Sequence, residues 1–504
     1  MTIKRVILVA LTILAIALMG QDLLDSWGRP QFQNQLELYQ TNLLLQVTEL
    51  KEADPGMVAA QKALVGEEPL KAALKQYEEV RQTAQKNLDR TQKLLAARQS
   101  KQQSLRASLP KWEELITKLD VNLGLLQVAQ GQVDTAQQTW GRAAQPTQLK
   151  GAVAAAETAA ILAGLWSQPP QLLPDAELKI NTTLTGWFRF RALAQLYKLQ
   201  QRPEQLAELQ AREQAAAQQS FVNLAIVGGL PVMGALIGTT ILLVLLVQWF
   251  LQGKQALLSP TGMTAWVPPW DGEIVWQVLI FGFFLVGQIL LPLVLGLAQS
   301  ALGIPVSAMG ERAKAVYILV NYGLLAAGGL LVLYWSIKPY LPLPEGWFQI
   351  NWQGKWILWG LGGYFVALPL VILVSLVNQR IWQGGGGSNP ILPIALEGKD
   401  SFALFCFFLT AAIAAPFFEE ILFRGFLLPS LTRYLPIWGA IGVSSLIFAL
   451  AHLSLSEVLP LTMLGIVLGF VYTRSRNLLS SMLLHGLWNS GTLISLLILG
   501  NGMR

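Results

Sequence analysis

Phe402–Arg424 reads FALFCFFLTAAIAAPFFEEILFR. No charge interrupts Phe402–Phe418; then come two adjacent carboxylates, Glu419 and Glu420, and a guanidinium at Arg424. An uncharged apolar run of this kind predicts a membrane helix, which needs about 20 residues to cross the hydrocarbon core. The helix is expected to continue through Ile421-Leu422-Phe423-Arg424 to about Leu428. Two carboxylates and a guanidinium then sit near or in the membrane. Desolvating an ionised group there is costly, so such groups signal function unless a partner compensates them.

The same pattern recurs outward from this stretch. Residues 221–504 hold 12 Lys/Arg and 9 Asp/Glu, against 22 and 21 in residues 21–220. Charge-free stretches run over Phe221–Gly253, Ile274–Gly310, Ala315–Ile337 and Trp356–Gln379, each longer than a minimal span. Further apolar runs follow at Ile437–Ala451, Val458–Thr473 and Ser481–Leu499. Eight C-terminal spans are expected. Over the 504 residues, 53% are hydrophobic and 13% charged, half the roughly 25% of soluble domains. One cysteine, Cys406, excludes a disulfide framework, and two histidines exclude a His-rich metal tract. The net charge of +6 comes with no basic patch interleaved with aromatics, so no nucleic-acid partner is expected.

At the other end, Lys4-Arg5 precede the apolar run Val6–Gly20. Residues 1–20 read as a secretory signal peptide or as a ninth span. The lack of a small-x-small cleavage site favours an uncleaved anchor. Lys4 and Arg5 stay inside under the positive-inside rule, which makes residues 21–220 extracytoplasmic. Counting spans puts Arg433, Arg474 and Arg476 inside as well. Arg312 and Lys314 fall outside, against the rule.

Residues 21–220 are rich in Gln, Ala and Leu, good helix formers. Leu70, Leu74, Tyr77 and Val80 recur at helical spacing. An extramembrane all-helical domain is expected, with coiled-coil character between about 60 and 108, punctuated at Pro110, Pro146 and Pro169-Pro170. Asn122-Leu123-Gly124, Gly131, Ala136 and Trp140 resemble a tetratricopeptide unit, two short antiparallel helices packed on small residues. Ala192–Leu196, Tyr197, Pro203-Glu204 and Ala207 form a partial second copy. A helical spacer with chance small residues accounts for the same pattern. The repeat reading makes 21–220 a docking site for a protein partner. Residues 221–383 are read as membrane helices. Residues 384–400, opening with Gly384-Gly-Gly-Gly-Ser388, form a flexible linker to a final bundle at 401–504.

Both histidines lie in that last bundle, with the Glu pair. Glu420 and Arg424 are i,i+4 in the order that favours an ion pair, which would hold Glu420 ionised. Glu419 points about 100° away and is left without that partner. A carboxylate beside a like charge in apolar surroundings suits a general base working near neutral pH. His452 follows Phe448 by one turn, and Asn489 follows His485 by one turn. Each feature alone has an ordinary reading: a solvated helix end, a satisfied core histidine, an Asn joining helices. Their joint occurrence favours one polar cavity. Arg433 and Glu457 read as interfacial charges, Trp438 and Trp488 as packing or interface anchors.

Glu419-Glu420-x-x-x-Arg424, Phe448-x-x-x-His452 and His485-x-x-x-Asn489 resemble the three motifs of the CPBP family, which includes CAAX prenyl endopeptidases and bacteriocin-processing or immunity-type intramembrane proteases. The resemblance covers about residues 400–499. It implies an all-α polytopic membrane bundle whose catalytic cavity opens to one side and to the lipid. By analogy Glu419, helped by His452, activates a water, and His485 and Asn489 stabilise the oxyanion. Glu420 and Arg424 orient the base, and Phe448 packs below His452. The family is often called a metalloprotease, yet H-E-x-x-H is absent. Glu419, His452 and His485 offer three ligands to a zinc ion if one is bound; the metal-independent reading is preferred.

The sequence therefore favours an intramembrane endopeptidase acting on a lipidated or membrane-associated peptide substrate in the bilayer. The alternative is a non-proteolytic scaffold or immunity-type protein that uses the helical domain for partner binding. A transporter is a third class, disfavoured because the polar residues cluster in one half and no inverted repeat is visible.

Overall fold

The computed structural model describes residues 2–27, 32–51, 55–97, 103–145, 150–303, 306–382, 386–387, 398 and 400–501. Among them every regular element is a helix, as the composition requires. Pro146 and most of the expected linker, Gly384, Gly385 and Ser388 included, lie outside the described residues. The chain divides into two compact units. One holds Met1–Ser26, Pro231–Ile381 and Asn389–Leu496; the other holds Trp27–Leu230, Trp382–Ser388 and Leu497–Arg504.

The helical unit contains α2 (Phe32–Val47), α3 (Pro55–Val65), α4 (Pro69–Ala97), α5 (Gln103–Ala129), α6 (Val133–Ala143), α7 (Lys150–Leu165), α8 (Ala176–Thr183) and α9 (Gly186–Leu199). Its core joins Leu74, Tyr77, Val80, Trp112, Trp140, Trp187 and Phe188. Gly131, at φ +78°, turns the chain between α5 and α6, a conformation that glycine adopts without cost. Trp140 then lies flat on Gly124, where a Cβ would come within 2.1 Å of the indole nitrogen. That nitrogen donates to the Val121 carbonyl at 3.0 Å. Gln201 at φ +52° and Pro203 at a helix start make a second hairpin after α9.

Eight helices in the described residues are long and apolar enough to span a membrane. They are α1 (Ile3–Ser26), α10 (Pro203–Gln255), α11 (Gly272–Ala301), α12 (Glu311–Tyr340), α13 (Trp356–Trp382), α14 (Ser401–Leu431), α16 (Leu455–Ser475) and α17 (Leu478–Gly500). The ninth expected span is α15 (Ile437–Leu450), 14 residues long. At about 1.5 Å per residue it covers roughly 21 Å, less than the hydrocarbon thickness. Pro436 fixes its start and His452 lies just past its end. The protein is an integral, multi-pass, all-α membrane protein.

Within the membrane unit, one end of the bundle is tied by arginines. Arg433 donates to the carbonyls of Pro268 and Trp270, at 3.2 and 2.9 Å. Arg474 donates to those of Leu257 and Ser259, and Arg476 to that of Thr264. The three thus grip one segment, between α10 and α11, whose Trp266 and Trp270 are buried. Lys4 and Arg5 pair with Glu273 at the start of α11. At the start of α14, Asp400 caps the helix through the Ala403 amide and pairs with Arg312 at 2.6 Å. These two contacts, the amide first, hold the Asp400 carboxyl below its ordinary range. The Arg312 charge that ran against the positive-inside rule is thereby matched by a carboxylate.

Candidate active site

The site is built on α14, whose apolar sequence buries nearly every side chain from Glu420 to Ser430. The helix is not regular. Leu409–Ala414 and Glu420–Leu427 are wound as π-helix, a widening often found at functional sites. The second stretch carries the charged motif.

Glu420 and Arg424 are fully buried and paired, Nη1 to Oε1 at 2.7 Å, as their spacing predicts. Three further contacts hold the guanidinium and its partner. Arg424 Nη2 donates to the Gly465 carbonyl at 3.3 Å. The guanidinium stands 4.4 Å from the Phe448 ring centre, in cation–π range. Glu420 Oε1 also accepts from His485 Nδ1, at 2.8 Å. Gly465 is required here: a Cβ would come within 2.7 Å of Ser445 and push α15 away from α16.

Glu419 is not left without a partner. Its Oε1 accepts from the Tyr322 hydroxyl of α12 at 3.0 Å. Its Oε2 is buried with no hydrogen-bond partner among the described residues. The nearest cationic candidate, His485 Nε2, is 3.9 Å away, too far for a direct bond. Both carboxylates therefore address one imidazole, from opposite nitrogens. The 100° separation of neighbours on a regular helix did not foresee this; it goes with the π-helical stretch that begins at Glu420 and with the close approach of α17 to α14 at Gly486, where a Cβ would meet the Ala412 carbonyl at 2.9 Å.

His452 Nδ1 lies 2.9 Å from the Phe448 carbonyl, which can only accept. Nδ1 accordingly carries a proton and donates to that carbonyl. Phe448 packs edge-on against both imidazoles, with ring centres 5.0 Å from His452 and 5.8 Å from His485. It is the floor of the site. Asn489 donates through Nδ2 to the Ala411 carbonyl at 2.7 Å, inside the first π-helical stretch. One amide N–H remains available.

Glu419, His452, His485 and Asn489 line one cavity of about 400 Å³. Glu457 and Trp488 line it as well, beyond their reading as an interfacial charge and an anchor. Gln288 and Tyr322 line it too and were missed from sequence. Both lie in long uncharged runs, and the one available signal was a polar tip in mid-span, which needs a buried partner. Among the described residues no group of three or more His, Cys, Asp or Glu side chains is gathered closely enough to hold a metal ion, so Glu419, His452 and His485 do not form the expected ligand set.

Residues 401–491 match the family model described as Type II CAAX prenyl endopeptidase Rce1-like. The chain is 30% identical over 155 residues to the UPF0177 protein YxdF of Lactococcus lactis, covering 82% of that protein and 29% of this chain. The chain belongs to the Rce1-like CAAX protease family. Within it, the membrane-embedded CAAX protease MroQ of Staphylococcus aureus is 28% identical over 192 residues, 75% of its length and 36% of this chain. The putative membrane peptidase YdiL of Bacillus subtilis is 26% identical over 141 residues. That match spans 57% of the Bacillus protein and 28% of this chain. No solved structure matches. All three family motifs lie inside the matched segment, on α14, α15 and the turn after it, and α17.

Proposed function

We propose that this CAAX-family protein is an intramembrane endopeptidase that hydrolyses a peptide bond of a membrane-associated or lipidated substrate. The observation that carries this reading is Glu419, whose Oε2 is buried with no hydrogen-bond partner among the described residues and whose side chain lines the cavity that His452, His485 and Asn489 also line. A water held between Glu419 Oε2 and His452 Nε2 loses a proton to Glu419. Its oxygen attacks the scissile carbonyl carbon, whose π electrons move onto oxygen. That oxyanion is held by His485 Nε2–H and the remaining Asn489 amide N–H. Collapse of the intermediate breaks the C–N bond, and the proton on Glu419 passes to the leaving amine. Tyr322 fixes the rotation of the base.

The geometry supports these roles: Glu420 lies 2.8 Å from His485 Nδ1, and His485 lines the same cavity as Glu419 and Asn489. In this role His485 gives its Nδ1–H to Glu420 and donates from Nε2 as an imidazolium. No step is routed through a metal. The arginine-gripped end is the cytoplasmic one by the positive-inside rule. Residues 27–230 then lie outside the cytoplasm, where the helical unit recruits substrate or a partner protein. Cleavage of a prenylated peptide and of a membrane-peptide mixture in vesicles tests the reading. Cleavage is expected with wild type and lost with Glu419→Ala and His485→Ala, at equal rates with and without a chelator. Unchanged cleavage in Glu419→Ala rejects it.

A further inference from the structure

A second cavity, of about 420 Å³, lies in the membrane unit and shares no lining residue with the catalytic pocket. Its origin is a helix crossing. At Gly238 a Cβ would lie 1.8 Å from the Phe365 carbonyl oxygen, and at Gly234 one would lie 2.5 Å from Leu368. Two glycines four apart thus let α10 and α13 touch, a small-residue contact usual between membrane helices. Past the crossing the helices part. A Cβ at Gly362 would meet nothing within 4 Å. The opening is walled by Leu242, Leu245, Leu358, Trp359, Val366 and Phe470.

Among the lining residues Lys355 alone is charged. It is exposed, just ahead of α13, and its ammonium has no ion pair among the described residues. It lies at the arginine-gripped end: the neighbouring Asn351 donates its amide to Asn477, next to Arg476, at 3.2 Å. An apolar slot of this size is in the range of small-ligand sites, about 300–1,000 Å³. A slot with one unpaired cation at its rim matches an amphiphile with an apolar tail and a single anionic head. Basic pockets between membrane helices bind such headgroups.

We propose that this groove binds one acyl chain of an anionic phospholipid, with the phosphate against Lys355. The site is separate from the catalytic cavity and does not depend on the proteolytic reading. The test is native mass spectrometry of the full chain in maltoside micelles, titrated with phosphatidylglycerol or with phosphatidylcholine of the same acyl chains. One phosphatidylglycerol per chain is expected to be retained where phosphatidylcholine is not. Lys355→Glu should weaken retention by at least about fivefold, the effect of one lysine near a headgroup. Gly362→Phe should abolish it by filling the slot, and Gly362→Leu should weaken it. Melting temperatures of the lipid-free variants report whether they fold; where Gly362→Phe does not, Gly362→Leu and Lys355→Glu carry the test. Equal retention of the two lipids overturns the proposal. So does wild-type retention in folded Gly362→Phe, or displacement of the lipid by a prenylated peptide.

Discussion

Among the described residues two arginines pair with a buried carboxylate, one in each unit, and the two pairs are built differently. In the helical unit Arg81 reaches Asp120 with both ends of its fork, Nε to Oδ1 at 2.9 Å and Nη2 to Oδ2 at 3.2 Å. Both oxygens are answered, and the arginine remains partly open to solvent. In the membrane unit Arg424 binds one oxygen of Glu420 and shares it with His485. Among the described residues the second oxygen of Glu420 has no hydrogen-bond partner, and beside that pair Glu419, which lines the cavity, also keeps a buried oxygen without one. A buried carboxylate whose oxygens are both bonded joins helices. One left unsatisfied at a cavity carries a standing desolvation cost, which a substrate or an attacking water can relieve.

The largest expected effect lies on that unanswered oxygen. Glu419→Gln should lower kcat by about 10²–10⁴-fold, the range of a lost general base, with the melting temperature unchanged. Equal activity would place the two pairs in the same structural class. Next comes the buried pair itself. Arg424→Ala leaves Glu420 uncompensated and should cost about 3–5 kcal/mol of stability, measured by unfolding in micelles. Arg81→Ala, where the arginine is partly open to solvent, should cost less. Tyr322→Phe removes one hydrogen bond to a charged group, worth about 1.5–3 kcal/mol. It should lower kcat about 10–100-fold, while KM stays constant.

Two smaller effects belong to the helical unit. Gly124→Ala drives a methyl into the Trp140 indole and should destabilise that unit by about 1–3 kcal/mol, without changing kcat on a short peptide. The smallest concerns Glu177, which accepts from the Tyr197 hydroxyl at 2.7 Å and from Arg202 at 2.8 Å. Those two contacts, the tyrosine first, hold its carboxyl below the ordinary carboxylate range. A depressed folded-state pKa stabilises above the ordinary value, and this is lost as pH falls through the folded one. Burial and Glu177 together push Tyr197 up to about 12, so its share is lost only as pH rises towards that value. For a largely exposed pair the effect should stay below about 1 kcal/mol. Hydrogen exchange of α8 and α9 in the full chain should be faster in Glu177→Gln than in wild type at neutral pH, and the difference should shrink as pH falls through the folded-state value.

The sequence by itself determined the membrane helices, because ionised groups are excluded from hydrocarbon over whole runs such as Ala315–Ile337. It determined the Glu420–Arg424 pair, which depends on spacing along one helix, and the Gly124–Trp140 hairpin, which depends on small residues near one turn. Those are short-range consequences of local chemistry. Tertiary structure alone decided the partners of Glu419. Tyr322 lies 97 residues away in the chain, and His485 meets both carboxylates where α14 is π-helical and α17 approaches it closely at Gly486. It also decided which lysine stands at the mouth of an apolar groove, since that groove exists where two distant helices part. No periodicity within a helix encodes the distance between helices, and the chemistry of this site is set by those distances.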